Sequence, residues 1–112
     1  MDGRDFYEQQ VRYLVAKDID ALIENNYTEN AELHSYDNQI KGRDALKRYF
    51  RDYIEMIGDL KLKSTDKFAA SDDAIMFEAS VETSNLGEVR VYDSWVMEDN
   101  KIRHHFTGVL SS

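Results

Sequence analysis

Residues 89–109 read V-R-V-Y-D-S-W-V-M-E-D-N-K-I-R-H-H-F-T-G-V, and how this stretch divides decides the fold. Apolar residues alternate from Val89 to Met97, Asp99-Asn100 offers the small polar pair of a tight turn, and a second β-rich run starts at Ile102. The expectation is two antiparallel strands. On the first, Val91, Asp93, Trp95 and Met97 share a face, because successive strand side chains point to opposite sides. A carboxylate on an apolar face is costly unless it is paired or protonated, so Asp93 is the first candidate for chemistry.

Working outward, residues 60–69 and 74–84 are two further strand-like runs, bounded by Ser71-Asp72-Asp73 and Asn85-Leu86-Gly87. With residues 89–98 and 102–110 they predict a four-stranded antiparallel meander. Ile75, Phe77, Ala79 and Val81 form the apolar face of the second run, and a three-residue loop at 85–87 would set Asp93 opposite Ala79. Residues 43–57 carry Leu46, Tyr49, Phe50, Tyr53, Ile54 and Ile57 at helical spacing, with Gly58 as the stop. Residues 4–17 predict an amphipathic helix whose inner face carries Phe6, Gln10, Tyr13 and Leu14. Asp18 caps a short helix at 19–26, and residues 32–36 read as a short strand before Asp37-Asn38. Helices followed by a long curved antiparallel sheet make an α+β fold, one domain over residues 1–112.

Composition narrows the function. At 112 residues with 42% hydrophobic and 32% charged, the chain can bury a real core. The net charge of -8, with no basic run beyond Lys47-Arg48, argues against nucleic acid and against an anionic membrane. The absence of cysteine removes disulfides, thiolate catalysis and zinc-thiolate sites. The start M-D-G-R-D-F-Y lacks a signal-peptide pattern and no apolar run approaches membrane length, so a cytoplasmic protein is expected.

The tracts D-I-D-A-L-I-E-N-N-Y-T-E-N-A-E-L-H, I-K-G-R-D-A-L-K-R-Y-F and W-V-M-E-D-N-K-I-R-H-H-F span nearly the whole chain and resemble the nuclear-transport-factor-2-like superfamily, in its SnoaL-like and ketosteroid-isomerase-like branch. The resemblance implies a cone-shaped fold, with the curved sheet wrapped around the N-terminal helices and the long helix. It also implies a small-molecule pocket, no cofactor, and a homodimer. Asp93 falls where the isomerases keep a protonated aspartic acid in the oxyanion hole. Their general base falls at Ser35, beside His34, and their oxyanion tyrosine near Gln10, one helical turn from Tyr13. The catalytic histidine and aspartate on the last strand of SnoaL-like cyclases fall at His105 and Thr107. The histidine is kept and three acidic or phenolic positions are not, so the likeness does not imply an unmodified ketosteroid isomerase.

Turn register governs the histidines. A strict two-residue turn at Asp99-Asn100 would put His104 and Phe106 on the Trp95 face; a three-residue or bulged turn, which the resemblance favours, puts Arg103, His105 and Thr107 there. His34 and Tyr36 share one strand face and Ser35 takes the other. His104 and His105 are adjacent on a strand and face opposite ways, so they cannot share a metal. The expected site thus has Asp93 as acid or hydrogen-bond donor and His105 or His34 as proton acceptor. Its ligand-binding residues would be Tyr13, Gln10, Ser35, Phe50, Tyr53, Phe77, Trp95 and Met97, around an apolar or carbonyl-bearing molecule. Proton abstraction beside a carbonyl is the expected reaction class, against the alternative of a non-catalytic binding or dimerisation module. Met76, Tyr92, Val96 and Val109 on the outer sheet face would form the dimer surface.

Overall fold

The computed structural model describes residues 2–111. Helix α1 (Gly3–Ala16) begins where Asp2 accepts the Asp5 backbone N–H at 2.8 Å, and ends at Lys17, whose φ of 60° closes its N–H onto the Leu14 carbonyl. Helix α2 (Ile19–Asn26) is capped by Asp18, and helix α3 (Arg43–Ile57) turns Leu46, Phe50, Ile54 and Ile57 inward. Gly58 ends α3 at a φ of 78°, and a β-carbon there would collide with the Ser84 side chain.

Six strands form one curved, unclosed sheet: β1 (Tyr27–His34), β2 (Gln39–Lys41), β3 (Leu60–Ala70), β4 (Ala74–Thr83), β5 (Gly87–Glu98) and β6 (Lys101–Ser111). Their order is β2-β1-β6-β5-β4-β3. The meander β3 to β6 and the helices stand as expected, and the architecture is α+β. The all-antiparallel expectation is corrected at one place: β1 runs parallel to β6, with Leu33 opposite His105. Strand β1 also starts five residues earlier than the predicted 32–36 and stops before Ser35, and β2 was not anticipated.

A second correction concerns the β4–β5 turn. Thr83 pairs with Gly87, its hydroxyl donating to the Gly87 carbonyl at 2.9 Å and accepting the Leu86 N–H at 3.0 Å, so the loop is residues 84–86 rather than 85–87. Asp93 therefore lies opposite Phe77, not Ala79. A shift of two residues preserves the face, which is why the alternation was still read correctly. The helices cover one side of the sheet, burying Phe6, Tyr7, Leu46 and Phe50 against Ile75, Phe77, Trp95 and Ile102. No helix is long and apolar enough to cross a membrane.

Candidate functional site

The β5–β6 hairpin combines the two turns that the sequence set against each other. Asp99 and Asn100 both lie at positive φ, 52° and 63°, as a two-residue type I′ turn requires, and Glu98 pairs with Lys101 and Met97 with Ile102. The register then slips, so that Val96 pairs with His104, Trp95 with His105 and Asp93 with Thr107. Arg103 is the extra residue of a β-bulge. The bulge lets both Ile102 and His105 face the core, which unbroken alternation forbids. Arg103 itself reaches sideways to the Asn30 carbonyl (3.0 Å) and the Glu32 carboxylate (3.1 Å) on β1.

Behind that bulge lies a buried chain of hydrogen bonds. Asn26 Nδ2 donates to Gln10 Oε1 (2.9 Å), and Gln10 Nε2 donates to the Tyr27 hydroxyl (2.9 Å). The Tyr27 oxygen lies 2.8 Å from His105 Nδ1, and His105 Nε2 lies 2.6 Å from Asp93 Oδ1. Because Gln10 already donates to the phenol, the phenol proton goes to Nδ1, leaving the imidazole proton on Nε2 to bind the carboxylate. Tyr27, Asn26, Gln10 and His105 are 0–4% exposed. Burial, above all, pushes the Tyr27 phenol well above the ordinary tyrosine value, so it stays a neutral link. Arg43 fixes its backbone, with Nη2 2.8 Å from the Tyr27 carbonyl, and also reaches the Glu24 carbonyl at the end of α2.

Asp93 Oδ2 receives no donor from the described residues and belongs to the wall of a cavity of about 90 Å³ between α1, α3 and the sheet. Aromatic rings dominate that wall: Tyr7, Tyr49, Phe50, Tyr53, Phe77 and Trp95. No lysine or arginine lines it. Burial, followed by the nearby Asp93 charge, pushes the Tyr53 phenol up to about 12 and raises Tyr49 as well. The site therefore offers one carboxylate oxygen and several protonated phenols in apolar surroundings.

Of the residues expected at the site, Asp93, His105, Gln10, Phe50, Tyr53, Phe77 and Trp95 gather around this cavity. Four do not. His34 lies on the outer sheet face, stacked on Phe106 (4.9 Å between ring centres) and His104 (5.6 Å), because the parallel register turns its neighbour Leu33 inward opposite His105. Ser35 is in the turn after β1, where its hydroxyl accepts the Asp37 and Asn38 backbone N–H groups. Tyr13 and Met97 line a separate groove on the other side of α1, where Asn25 donates to the Tyr13 hydroxyl. The cavity side of α1 is instead Tyr7, Gln10, Val11 and Leu14 at three-four-three spacing. His104 and His105 do face opposite ways.

Tyr27, Tyr7 and Asn26 were missed. The available signal was the aromatic Tyr27 and β-branched Thr28 directly after the helix-ending Asn25-Asn26, followed by inward Ala31 and Leu33. On the outer face Met76, Val96 and Phe106 are 59, 41 and 43% exposed, and Tyr92 lies across Gly108. Val109 is corrected: it pairs with Val91 and so belongs to the cavity face of the sheet.

A family model described as a SnoaL-like domain matches residues 4–105. No curated protein matches the chain. Among solved structures, the chain is similar to an NTF2-like protein from Anabaena variabilis ATCC 29413, at 18% identity over 97% of this chain and 87% of that one, with a TM-score of 0.85. A putative polyketide cyclase from Sinorhizobium meliloti aligns at 17% identity over 93% and 94%, with a TM-score of 0.79. The epoxide hydrolase/cyclase-like enzyme SalBIII, of pyran ring formation in the polyether salinomycin, aligns at 18% over 95% and 88%, with a TM-score of 0.76. At these identities the likeness is one of fold.

Proposed function

This chain belongs to the SnoaL-like domain family, and from that footing we propose that the Asp93 cavity holds a small uncharged cyclic molecule and performs acid/base chemistry at the carbon beside its carbonyl. One observation carries the reading: Asp93 presents Oδ2 to an apolar cavity while Oδ1 is held by His105 at 2.6 Å. A carboxylate held at one oxygen and free at the other is an oriented base. Oδ2 takes the proton, the C–H electron pair forms a carbon–carbon double bond, and the carbonyl π pair moves onto oxygen. Returning the proton to another carbon gives isomerisation; attack of the enolate carbon on a second carbonyl gives cyclisation. His105 acts as a positioning residue here, since both ring nitrogens are engaged. An uncharged ligand follows from the lining, because a second anion beside Asp93 would meet no cation. The polyketide cyclase and the epoxide hydrolase/cyclase-like enzyme of the same fold support chemistry of this kind.

The test is deuterium wash-in beside the carbonyl of a small cyclic ketone, followed by NMR. Asp93→Asn keeps an oxygen to accept His105 Nε2–H, so the fold should survive while exchange falls about 100-fold or more, the usual worth of a positioned base. Exchange no faster than buffer in the wild type, or undiminished in Asp93→Asn, would sink the reading. The small cavity favours one rival: at about 90 Å³ it is below the roughly 300–1,000 Å³ of ordinary ligand pockets, as in a module filled by its own side chains. That rival predicts that no ligand raises the melting temperature and that Asp93→Asn alters stability alone. We further propose that the chain dimerises through the outer sheet face carrying Met76, Val96 and Phe106.

A further inference from the structure

Trp95 is the single tryptophan of the chain and is 1% exposed. Its indole N–H is the one buried side-chain polar atom among the described residues that has no hydrogen-bond partner. An unpaired buried donor costs about 1–3 kcal/mol. Native interiors hold few of them, and each calls for a reason. Packing supplies none: the ring meets Phe77 edge-on at 5.1 Å, Phe6 at 5.6 Å and His105 at 5.8 Å, contacts that an all-carbon ring would make as well.

Position supplies one. Trp95 lines the same cavity as Asp93 and stands two residues along β5 on the same face, roughly 6.6 Å away along the strand. That interval suits a carbonyl group whose neighbouring carbon meets the carboxylate at one end and whose oxygen meets a donor at the other. We infer that the Trp95 indole N–H is the hydrogen-bond donor for the ligand's carbonyl oxygen, and that it makes the cavity select neutral carbonyl compounds over hydrocarbons and over acids.

This rests on the reading of Asp93 as the base and adds the group that faces the other end of the reacting unit. When the proton passes to Asp93 Oδ2, the π pair settles on the carbonyl oxygen and the N–H bond becomes charge-assisted, hence stronger at the moment it matters. No oxidant, metal or co-reactant enters this step. The donor is also suited to the place because an indole N–H carries no charge to desolvate, whereas a lysine there would. The Tyr53 phenol on the same wall keeps its proton, with burial pushing it up to about 12, so it too is a neutral donor.

A single tryptophan gives a single indole N–H resonance, so the test can be made on the unaltered protein. Three probes are titrated while that resonance is followed: cyclohex-2-enone, cyclohexene and cyclohexanecarboxylate. The enone should move the indole proton downfield and saturably, cyclohexene should leave it nearly in place, and the carboxylate should not bind. Trp95→Phe should weaken the enone about tenfold and cyclohexene by less than about twofold, the difference expected for one hydrogen bond. An indole proton that answers the enone and cyclohexene alike, or that sits upfield against an aromatic face and ignores both, overturns the inference. If that happens while Asp93-dependent deuterium exchange persists, the donor assignment fails and the base assignment stands. If the enone neither binds nor exchanges, both fail.

Discussion

Replacing Tyr27 by Phe removes one oxygen from the middle of the buried chain and almost nothing else. The ring, 0% exposed and 5.9 Å from Phe50, keeps its packing. Two hydrogen bonds vanish, at 2.9 Å from Gln10 and 2.8 Å to His105, and both partners stay buried without a substitute. Each bond is worth about 1 kcal/mol net and each orphaned group adds to it, so a loss of about 2–4 kcal/mol is expected. For a domain of this size that is a fall in melting temperature of roughly 8–20 °C, large but within the reserve of an ordinary domain. Denaturant unfolding measures the energy, and nitrogen NMR of the His105 ring measures the consequence. In the parent protein Nε2 should carry the proton and Nδ1 none; in Tyr27→Phe both tautomers should appear, because nothing remains to favour a bare Nδ1. Gln10→Leu completes a cycle in which the Gln10–Tyr27 bond is lost once rather than twice. The double variant should therefore be about 1 kcal/mol more stable than the sum of the singles. Strict additivity, or a His105 ring indifferent to Tyr27→Phe, would refute the chain as a unit.

Three further outcomes are expected. Gly108→Ala drives a β-carbon into the Tyr92 ring and should cost about 1–3 kcal/mol, most of it recovered when Tyr92→Ala is added; both are read by thermal unfolding. Tyr7, Tyr27, Tyr49 and Tyr53 all have raised folded values, chiefly through burial, so their contribution is complete below pH 10 and lost as pH rises towards 12. Tyr53 alone should account for a fall on the order of 2 kcal/mol between pH 9 and 12, seen as a lower urea midpoint. Sedimentation at micromolar concentration should give twice the mass of the chain, and Phe106→Glu should halve it; a monomeric parent would end the dimer proposal.

Local pattern carried much of the fold. The three-four spacing of Leu46, Phe50, Ile54 and Ile57 needs only its own helix to be read, and the inner faces of β4 and β5 need only alternation. That is why Asp93 and Trp95 could be placed together although their register to β4 was two residues off. His34 and His105 were harder, because alternation names two faces without saying which is covered.

By itself the sequence determined an α+β domain with Asp93, Trp95, Phe50, Tyr53 and Phe77 facing one interior, since each of those placements follows from short-range periodicity. Only the tertiary structure decided that His105 meets Asp93, that Tyr27 meets His105, and that His34, Ser35, Tyr13 and Met97 lie elsewhere. Those outcomes depend on one bulge at Arg103 and on β1 pairing parallel to a strand some seventy residues away, and neither a bulge nor a distant partner leaves a period in the chain.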